Sequence, residues 1–310
     1  MNRLIRLVLI TLLFAVCATP HGQEKNGFSV ADALIPVDEI HSGGPPRDGI
    51  PAIDRPRFVS ADAAEFLQAS DRVLGITRNN VSKAYPVAIL NWHEIVNDRF
   101  ANEPVVVSYC PLCGTGIAYL ATTGDQVLDF GVSGLLYNSD MLLYDRQTQS
   151  LWSQIGRQAV SGPMKGNKLQ PVPVMHTRWA DWKQRHPATR VLSTDTGYQR
   201  DYTRNPYQGY EKSGDLWFPV RSQDDRYHLK EPVLGIEIAG RFKAYPFVEL
   251  EKSDGDVLDT LAGQAIVVTY DKHYHTAVAA DGQGTALAGV IAFWFAWYAF
   301  HPDTEVYHAD

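Results

Sequence analysis

Lysine and arginine form no cluster anywhere in the sequence. Together they number 28 of 310 residues against 35 acidic residues, which gives a formal charge of −7 at pH 7. Because nucleic-acid binding depends on concentrated basic residues that contact phosphates, the sequence argues against a nucleic-acid partner. The apolar runs near the two ends of the chain are also too short to form a membrane-spanning helix.

The usual signatures of several enzyme classes are also missing. There is no Gly-x-Ser-x-Gly elbow, no P-loop, no dinucleotide-binding glycine pattern between a strand and a helix, and no His-Glu-x-x-His. Carboxylates are plentiful, but no two of them have a spacing that indicates the catalytic pair of a glycoside hydrolase. The sequence therefore identifies no reaction and no substrate, and a protein partner or a small molecule both stay open.

The composition is that of an ordinary globular protein, with 45% apolar and 20% charged residues, which excludes disorder for most of the chain. The exception is the segment 19–58, which contains "IHSGGPPRDGIPAIDRPRF". A stretch so rich in proline and glycine cannot form a helix or a central strand. We expect it to be an arm that lies across the surface of a single compact domain, residues 59–310.

Residues 1–18 have the pattern of a signal peptide. Two arginines precede the apolar run Leu7–Val16, and a site that signal peptidase could cut follows. Cleavage after Ala18 would remove both arginines and no acid, so the formal charge would change from −7 to −9. We expect an exported protein, periplasmic or extracellular, with no stable membrane span after cleavage. Lipid attachment at Cys17 is less favoured, because the bulky Val16 stands where lipoproteins have a small residue.

One pattern occurs twice in the chain. It reads "RVLGITRNNVSKAYPVAILNWHEIVND" from Arg72 and "PVLGIEIAGRFKAYPFVELEKSDGDV" from Pro232, and a valine-rich run follows each time. The spacing predicts a β-hairpin, a short helix or turn after Ala-Tyr-Pro, and a buried strand. Tight turns are expected at Asn79-Asn80 and at Ala239-Gly240. We therefore predict an α+β fold that is dominated by strands, with few short helices and two repeat units, about 72–120 and 232–280.

Three further elements are predicted outside these units. A hairpin is expected over 141–154, preceded by the polar cluster Tyr137–Asp140, which either ties a loop to its neighbours or lines a pocket beside the cysteines. A helix is expected over 177–185, with Thr177 as its cap. The apolar run 286–300 is expected to form one or two buried strands.

The two units differ in their reactive residues. The first unit carries His93 and Glu94 after its second strand and ends in Cys110 and Cys113, whereas the second has neither cysteine. This asymmetry favours a single active site on a pseudo-symmetric scaffold. The same asymmetry would arise if the second unit had no function and its sequence had diverged for that reason.

The cysteines lie in "YCPLCGTGIAY", which follows a buried strand. In thioredoxin-type sites a helix begins at such a pair, but the glycines and β-branched residues that come next here argue against a helix. Cys-Pro-x-Cys-Gly resembles a metal knuckle, in which a tight turn directs two sulfurs at one ion.

Two sulfurs leave a tetrahedral ion short of ligands, so histidine or carboxylate must contribute. The predicted site is Cys110, Cys113 and His93, because His93 precedes the strand that delivers the knuckle. Sulfur with imidazole suits copper(I) or zinc, and copper is the first expectation. Four further histidines are candidates: His41, His273, His275 and His301.

Two other interpretations of the cysteine pair stay open. A metal-free thiol–disulfide oxidoreductase would need one exposed thiol with a lowered pKa. A non-enzymatic binding scaffold would use the cysteines only to brace a loop. Each histidine could equally be a hydrogen-bonded structural residue.

The sequence resembles the bacterial and archaeal family called domain of unknown function (DUF) 3179. The resemblance rests on "DGIPAIDRPRF", "AYPVAILNWHEIVND", "YCPLCGTGIAY", "FGVSGLLYNSDMLLYDRQTQSLWSQ" and "FWFAWYAFHPDTEVY". It implies an exported or membrane-associated protein and supplies no activity. The family's cysteine element falls on Cys110 and Cys113, and its "NWHEIVND" element on His93.

Overall fold

The computed structural model describes residues 23–309. The predicted signal peptide and Cys17 lie outside these residues. Strands account for 41% of residues 23–309 and helices for 11%, so the prediction of a strand-dominated fold with few short helices is confirmed. Within residues 23–309 no helix has the length and apolar character needed to cross a membrane.

The elements follow one another in short segments. The N-terminal segment contributes four strands and a 3-10 turn: β1 (Glu24–Lys25), β2 (Phe28–Ser29), the turn Val37–Glu39, β3 (Ile40–Ser42) and β4 (Phe58–Ser60). The first half of the domain continues with β5 (Arg72–Arg78), β6 (Val81–Pro86), α1 (Val87–His93), β7 (Ile95–Phe100), β8 (Glu103–Cys110), β9 (Thr115–Leu120), β10 (Thr122–Thr123), β11 (Gln126–Val127), β12 (Phe130–Tyr137), β13 (Asp140–Asp145), β14 (Leu151–Ser153), β15 (Ala159–Ser161), β16 (Pro171–Val172), β17 (Met175–Arg178), α2 (Trp179–Arg185) and β18 (Arg190–Leu192).

The second half begins after a long connection that contains the 3-10 turn Tyr210–Lys212. Its elements are β19 (Pro232–Ile238), β20 (Arg241–Pro246), α3 (Phe247–Leu250), β21 (Val257–Leu261), β22 (Gln264–Asp271), β23 (Thr276–Asp281), β24 (Val290–Phe293), α4 (Trp294–Phe300) and β25 (Glu305–Val306). The larger sheets have the strand orders β15-β14-β13-β12-β3, β16-β9-β8-β7, β17-β5-β6-β18-β4, β24-β19-β20-β25 and β21-β22-β23. Together these small sheets form a repeated, propeller-like arrangement.

The predicted repeat is present in the structure. Asn79-Asn80 and Ala239-Gly240 all have positive φ, as the two-residue hairpin turns of β5–β6 and β19–β20 require. A short helix follows each hairpin, and β8 and β22 come after it, each preceded by a further strand that pairs with it. β8 is buried as predicted, whereas β22 has only two buried residues, Ile266 and Val268. In both copies a tyrosine hydroxyl of the hairpin donates to an aspartate of that preceding strand: Tyr85 to Asp98, and Tyr245 to Asp259.

The repeat extends further than the sequence pattern indicated. α2 and α4 are equivalent, since the Trp182 indole donates to Thr189 and the Trp297 indole to Thr304 at nearly equal distances of 2.9 and 3.0 Å. Each indole lies on a glycine, Gly75 or Gly235, where a Cβ atom would come within 2.2 Å of the ring. The first copy therefore comprises residues 72–120 and 171–192, and the second comprises 232–281 and 286–307.

Two predicted elements are corrected by this equivalence. The run 286–300 forms a strand, β24, followed by a helix, α4. Its two tryptophans have helical spacing, and the helix places Trp297 against Gly235 of the hairpin. The helix predicted from Thr177 begins at Trp179, since Thr177 belongs to β17 and pairs with Val73. Its hydroxyl donates to Asp181 instead of capping the helix. The predicted hairpin over 141–154 is confirmed as β13–β14.

The two copies are linked by hydrogen bonds near their contact. The Phe293 backbone amide, at the end of β24, donates to the carbonyl of Cys113 over 2.8 Å. The Thr276 hydroxyl of β23 likewise donates to the carbonyl of His176. In both hydrogen bonds the second copy is the donor, so it supports the cysteine turn and β17 of the first copy.

Two segments have no counterpart in the second copy. The first, which we call the insertion, comprises residues 121–170 with β10 to β15. The second, which we call the strap, comprises residues 193–231 and joins the copies. Both pack against the end of β8, where the cysteines lie.

Candidate metal centre

The cysteines lie in the turn that joins β8 to β9. Cys110 ends β8 opposite Thr115, and the Cys113 amide donates to the Cys110 carbonyl over 3.2 Å. Gly114 has a φ of +63°, and a Cβ atom there would lie 2.9 Å from the Phe293 ring. The turn therefore needs glycine at this position for two reasons, its left-handed backbone and the close approach of the second copy. As predicted, a strand follows the cysteines and not a helix.

Asp140 of the insertion completes a three-residue cluster with the cysteines. Its hairpin, β12–β13, turns through Asn138 and Ser139, both of which have positive φ, and Asp140 is the first residue after the turn. One ligand atom each from Cys110, Cys113 and Asp140 lies within 4.8 Å of the other two. The polar cluster Tyr137–Asp140 therefore reaches the cysteines, which was one of its two predicted roles.

The cluster is closed to solvent. Cys110 is 2% exposed, Cys113 is fully buried, and Asp140 is 1% exposed. The Cys113 thiol donates to the Ser139 carbonyl over 3.3 Å. Burial raises the pKa of the Cys110 thiol and raises that of the Cys113 thiol further above its usual value, because the buried site disfavours an isolated thiolate.

Two carboxyl groups share this environment. Burial raises the pKa of Asp140 to about 7 and that of Glu94 to about 7, and the charge of Asp140 contributes to the second shift. Glu94 accepts a hydrogen bond from the Tyr207 hydroxyl of the strap at 3.3 Å. Among the described residues no lysine, arginine or histidine pairs with either carboxylate. The site concentrates acidic groups without supplying a cation of its own.

Several polar atoms around the cluster lack a hydrogen-bond partner among residues 23–309. They include the second Asp140 oxygen Oδ1, the Ser139 hydroxyl and the Tyr210 hydroxyl. Tyr210 of the strap packs in the same core as both cysteines. Buried polar groups without partners are rare in folded proteins and mark positions where an ion, a water molecule or a ligand is expected. Two thiols, a carboxylate and these unpaired oxygens fit a bound transition metal.

The structure does not bring His93 into this cluster. Its ring is fully buried, and its two nitrogens contact the Pro51 carbonyl at 2.8 Å and the Tyr202 hydroxyl at 2.7 Å. Since a carbonyl only accepts, Nδ1 donates to Pro51 and Nε2 accepts from Tyr202. Burial lowers the pKa of His93, so the ring is neutral. In this arrangement His93 joins the N-terminal segment to the strap, next to Glu94.

The remaining candidate histidines lie elsewhere. His41 is in β3 opposite Leu136, and the His301 ring stacks on Phe242 at 3.9 Å after the end of α4. His273 and His275 occupy the turn between β22 and β23. No histidine among the described residues belongs to the group that contains the cysteines.

Sequence reasoning did not identify Asp140 as a metal ligand or place Glu94 beside the cluster. The signal for Asp140 was present, because a polar group of four residues interrupts an otherwise apolar hairpin. Glu94 follows α1 with a φ of +58°, an unusual backbone for a residue with a side chain. No sequence pattern predicts this positive φ at Glu94.

Comparison with known proteins identifies one relationship. A family model described as "Protein of unknown function (DUF3179)" matches residues 47–288, which includes the insertion, the strap and most of both copies. The resemblance found in the sequence is thereby confirmed. Neither the curated proteins nor the solved structures include a match.

Proposed function

This chain belongs to the DUF3179 family, and we propose that it is an exported metal-binding protein whose ion is held by Cys110, Cys113 and Asp140. The observation that carries the proposal is the approach of these three donor atoms to within 4.8 Å of one another in a buried site. The unpaired Asp140 oxygen beside them supports it, because a cation would satisfy that oxygen. Export rests on the signal-peptide pattern of residues 1–18.

The donor set favours zinc, with copper as the second choice. Zinc accepts thiolate and carboxylate together in tetrahedral sites, whereas copper(I) prefers soft sulfur donors. A bound cation would also reverse the effect of burial on the pKa values, since coordination deprotonates a thiol outright. The raised thiol pKa values therefore apply to the protein without metal. They are compatible with metal binding, because a bound cation would lower them.

The enclosure of the site favours holding or transferring an ion. A catalytic zinc keeps one position open for substrate or water, but the insertion and the strap cover the cysteines on the side of their sulfurs. The same enclosure disfavours a metal-free thiol oxidoreductase, which needs an accessible cysteine with a lowered pKa. Both thiols here are buried, and burial raises the pKa of each.

Elemental analysis of protein that is purified without chelator tests the proposal. We expect about one zinc or copper per chain, because the three donor atoms lie close enough together to bind a single ion. The Cys110→Ser/Cys113→Ser double variant should lose the metal, and Asp140→Asn should bind it more weakly. The matched control is Asp254→Asn, an exposed aspartate that should leave the metal content unchanged. Circular dichroism of each variant establishes that it is folded.

His93→Gln decides which residue supplies the third ligand. Metal that is retained in His93→Gln and weakened in Asp140→Asn supports the cluster seen in the structure. The opposite pattern would assign the ligand to His93 and require its ring to leave Pro51 and Tyr202. Failure of every preparation to bind metal, even after anaerobic loading with copper(I) and zinc, would contradict the proposal.

A further inference from the structure

A cavity of about 300 Å³ lies between the two copies. Gly114 and His275, which occupy equivalent positions in the β8–β9 and β22–β23 turns, both line it. The cavity is therefore lined by equivalent turns of the two copies. It does not include the metal cluster, because none of Cys110, Cys113 and Asp140 lines it.

At four equivalent positions of the cavity lining, the first copy supplies a polar residue and the second copy an apolar one. The four matched pairs are Arg72 with Pro232, His176 with Ile291, Thr177 with Ala292, and Arg178 with Phe293. We call the four first-copy residues of these pairs the polar wall and the four second-copy residues the apolar wall.

Two arginines of the polar wall lie directly opposite each other. Arg178 of β17 is the cross-strand partner of Arg72 in β5, and the matching pair in the second copy is Pro232 with Phe293. Like charges at such positions destabilise a sheet. An anion that contacts both guanidinium groups would remove this cost.

Only one of the two arginines has an acidic partner in the described part of the chain. Arg72 pairs with Glu211 of the strap at 2.6 Å and donates to the Tyr109 hydroxyl at 3.2 Å. Arg178 donates to the Ser70 carbonyl at 2.9 Å and, among residues 23–309, forms no ion pair. Two arginines against one glutamate leave the cavity one positive charge in excess.

We infer that this cavity binds a small amphipathic carboxylate, a monoanion with a compact apolar body. The carboxylate would lie between Arg72 and Arg178, because the planar guanidinium group matches a carboxylate with two parallel hydrogen bonds. The apolar body would pack on Phe247, Ile291 and Phe293. A single negative charge matches the excess charge of the wall, and an apolar cavity of about 150 Å³ already holds benzene.

Isothermal titration with 3-phenylpropanoate tests the inference on the full protein. We expect binding that is weakened at least about tenfold when the carboxylate is replaced by its amide, 3-phenylpropanamide, because a charge-assisted hydrogen bond is lost. Acetate, which keeps the carboxylate without the apolar body, should also bind more weakly. The amide tests the contribution of the arginines, and acetate tests the contribution of the apolar residues.

Arg178→Gln should weaken 3-phenylpropanoate binding by about tenfold or more and leave binding of the amide unchanged. Arg178→Lys, which preserves the charge, should fall between Arg178→Gln and the natural protein. The matched control is Arg241→Gln, an exposed arginine of β20 that is remote from the cavity lining. The Cys110→Ser/Cys113→Ser variant should bind as the natural protein does, which separates this site from the metal centre.

Equal binding of the acid and the amide, or an unchanged affinity in Arg178→Gln, would overturn the inference. The absence of binding for every linear carboxylate from acetate to octanoate and for 3-phenylpropanoate, up to about 10 mM, would overturn it as well.

Discussion

The backbone amide of Phe293 donates to the carbonyl of Cys113, so the second copy holds the cysteine turn of the first. This contact also places the Phe293 ring against Gly114. The residues that define the candidate metal centre therefore depend on a strand that comes about 180 residues later in the chain. A structural role of the second copy is thus visible even though it carries no cysteine.

Removal of this amide should loosen the cysteine turn. Phe293→Pro removes the donor and the ring, whereas Phe293→Ala removes only the ring and serves as the matched control. Proline is compatible with the φ of −70° at this residue. We expect Phe293→Pro to be less stable than Phe293→Ala by about 1 kcal/mol and to react faster with iodoacetamide at Cys113. Equal labelling rates in the two variants would show that the turn holds without the second copy.

The metal-free protein should lose stability as the pH rises through neutrality because of Asp140. Its carboxyl has a pKa of about 7 when folded and 3.8 as the reference, so the folded state binds the proton more tightly. The contribution is fully present below pH 4 and is lost as the pH rises from 4 through 7. Asp140→Asn should therefore gain stability relative to the natural protein from pH 5 to pH 8, by at most about 4 kcal/mol.

Urea denaturation of the two proteins in the presence of a chelator measures this difference. Asp254→Asn, which alters an exposed aspartate, is the control and should follow the natural protein. Parallel stability curves for Asp140→Asn and the natural protein would contradict a buried Asp140 carboxyl of raised pKa.

His301 should contribute in the opposite direction at acid pH. Burial lowers its pKa to about 3, so the folded state resists the proton that the unfolded chain accepts near pH 6.5. Its contribution is present above pH 6.5 and is lost progressively as the pH falls towards 3. His301→Gln should therefore show a flatter decline in stability between pH 6.5 and pH 4. Equal slopes for His301→Gln and the natural protein over this range would contradict a buried His301 of lowered pKa.

The tryptophan contacts of the two hairpins should be sensitive to a single methyl group. A Cβ atom at Gly75 or Gly235 would lie 2.2 Å from the indole of Trp182 or Trp297. We expect Gly75→Ala and Gly235→Ala each to lower the free energy of unfolding by about 1–3 kcal/mol, because the packed ring must move. Gly214→Ala is the control, since no atom lies within 4 Å of its added methyl group. Thermal denaturation of the three variants provides the comparison, and equal stabilities would show that the rings are loosely held.

The sequence predicted the repeated hairpins well, because their signals are local. Paired asparagines, Ala239-Gly240 and the repeated Ala-Tyr-Pro each specify a backbone conformation within a few residues. The run 286–300 was misjudged because a helix and a strand that are buried on all sides have the same apolar composition. Its equivalence to α2 depends on the placement of Trp297 on Gly235, which is a tertiary contact.

The candidate site was predicted only in part for a related reason. Cys110 and Cys113 are three positions apart in the sequence, so their proximity follows from the turn. His93 is near them in sequence, but Pro51 and Tyr202 occupy its ring nitrogens in the structure. Asp140 reaches the sulfurs because the insertion folds back on β8, and distance along the chain gives no indication of that.

The strap has a kinetic consequence for any ion in the cluster. Tyr207 and Tyr210 come from the strap, whereas the cysteines and Asp140 come from the body beneath it, so the complete environment exists only after the strap has docked. An ion enclosed in this way would leave only when the strap opens locally, and its residence time would be governed by that opening equilibrium as well as by the strength of its bonds. The stability of the docked strap, together with the strength of the metal–ligand bonds, would then determine how long the protein keeps an ion.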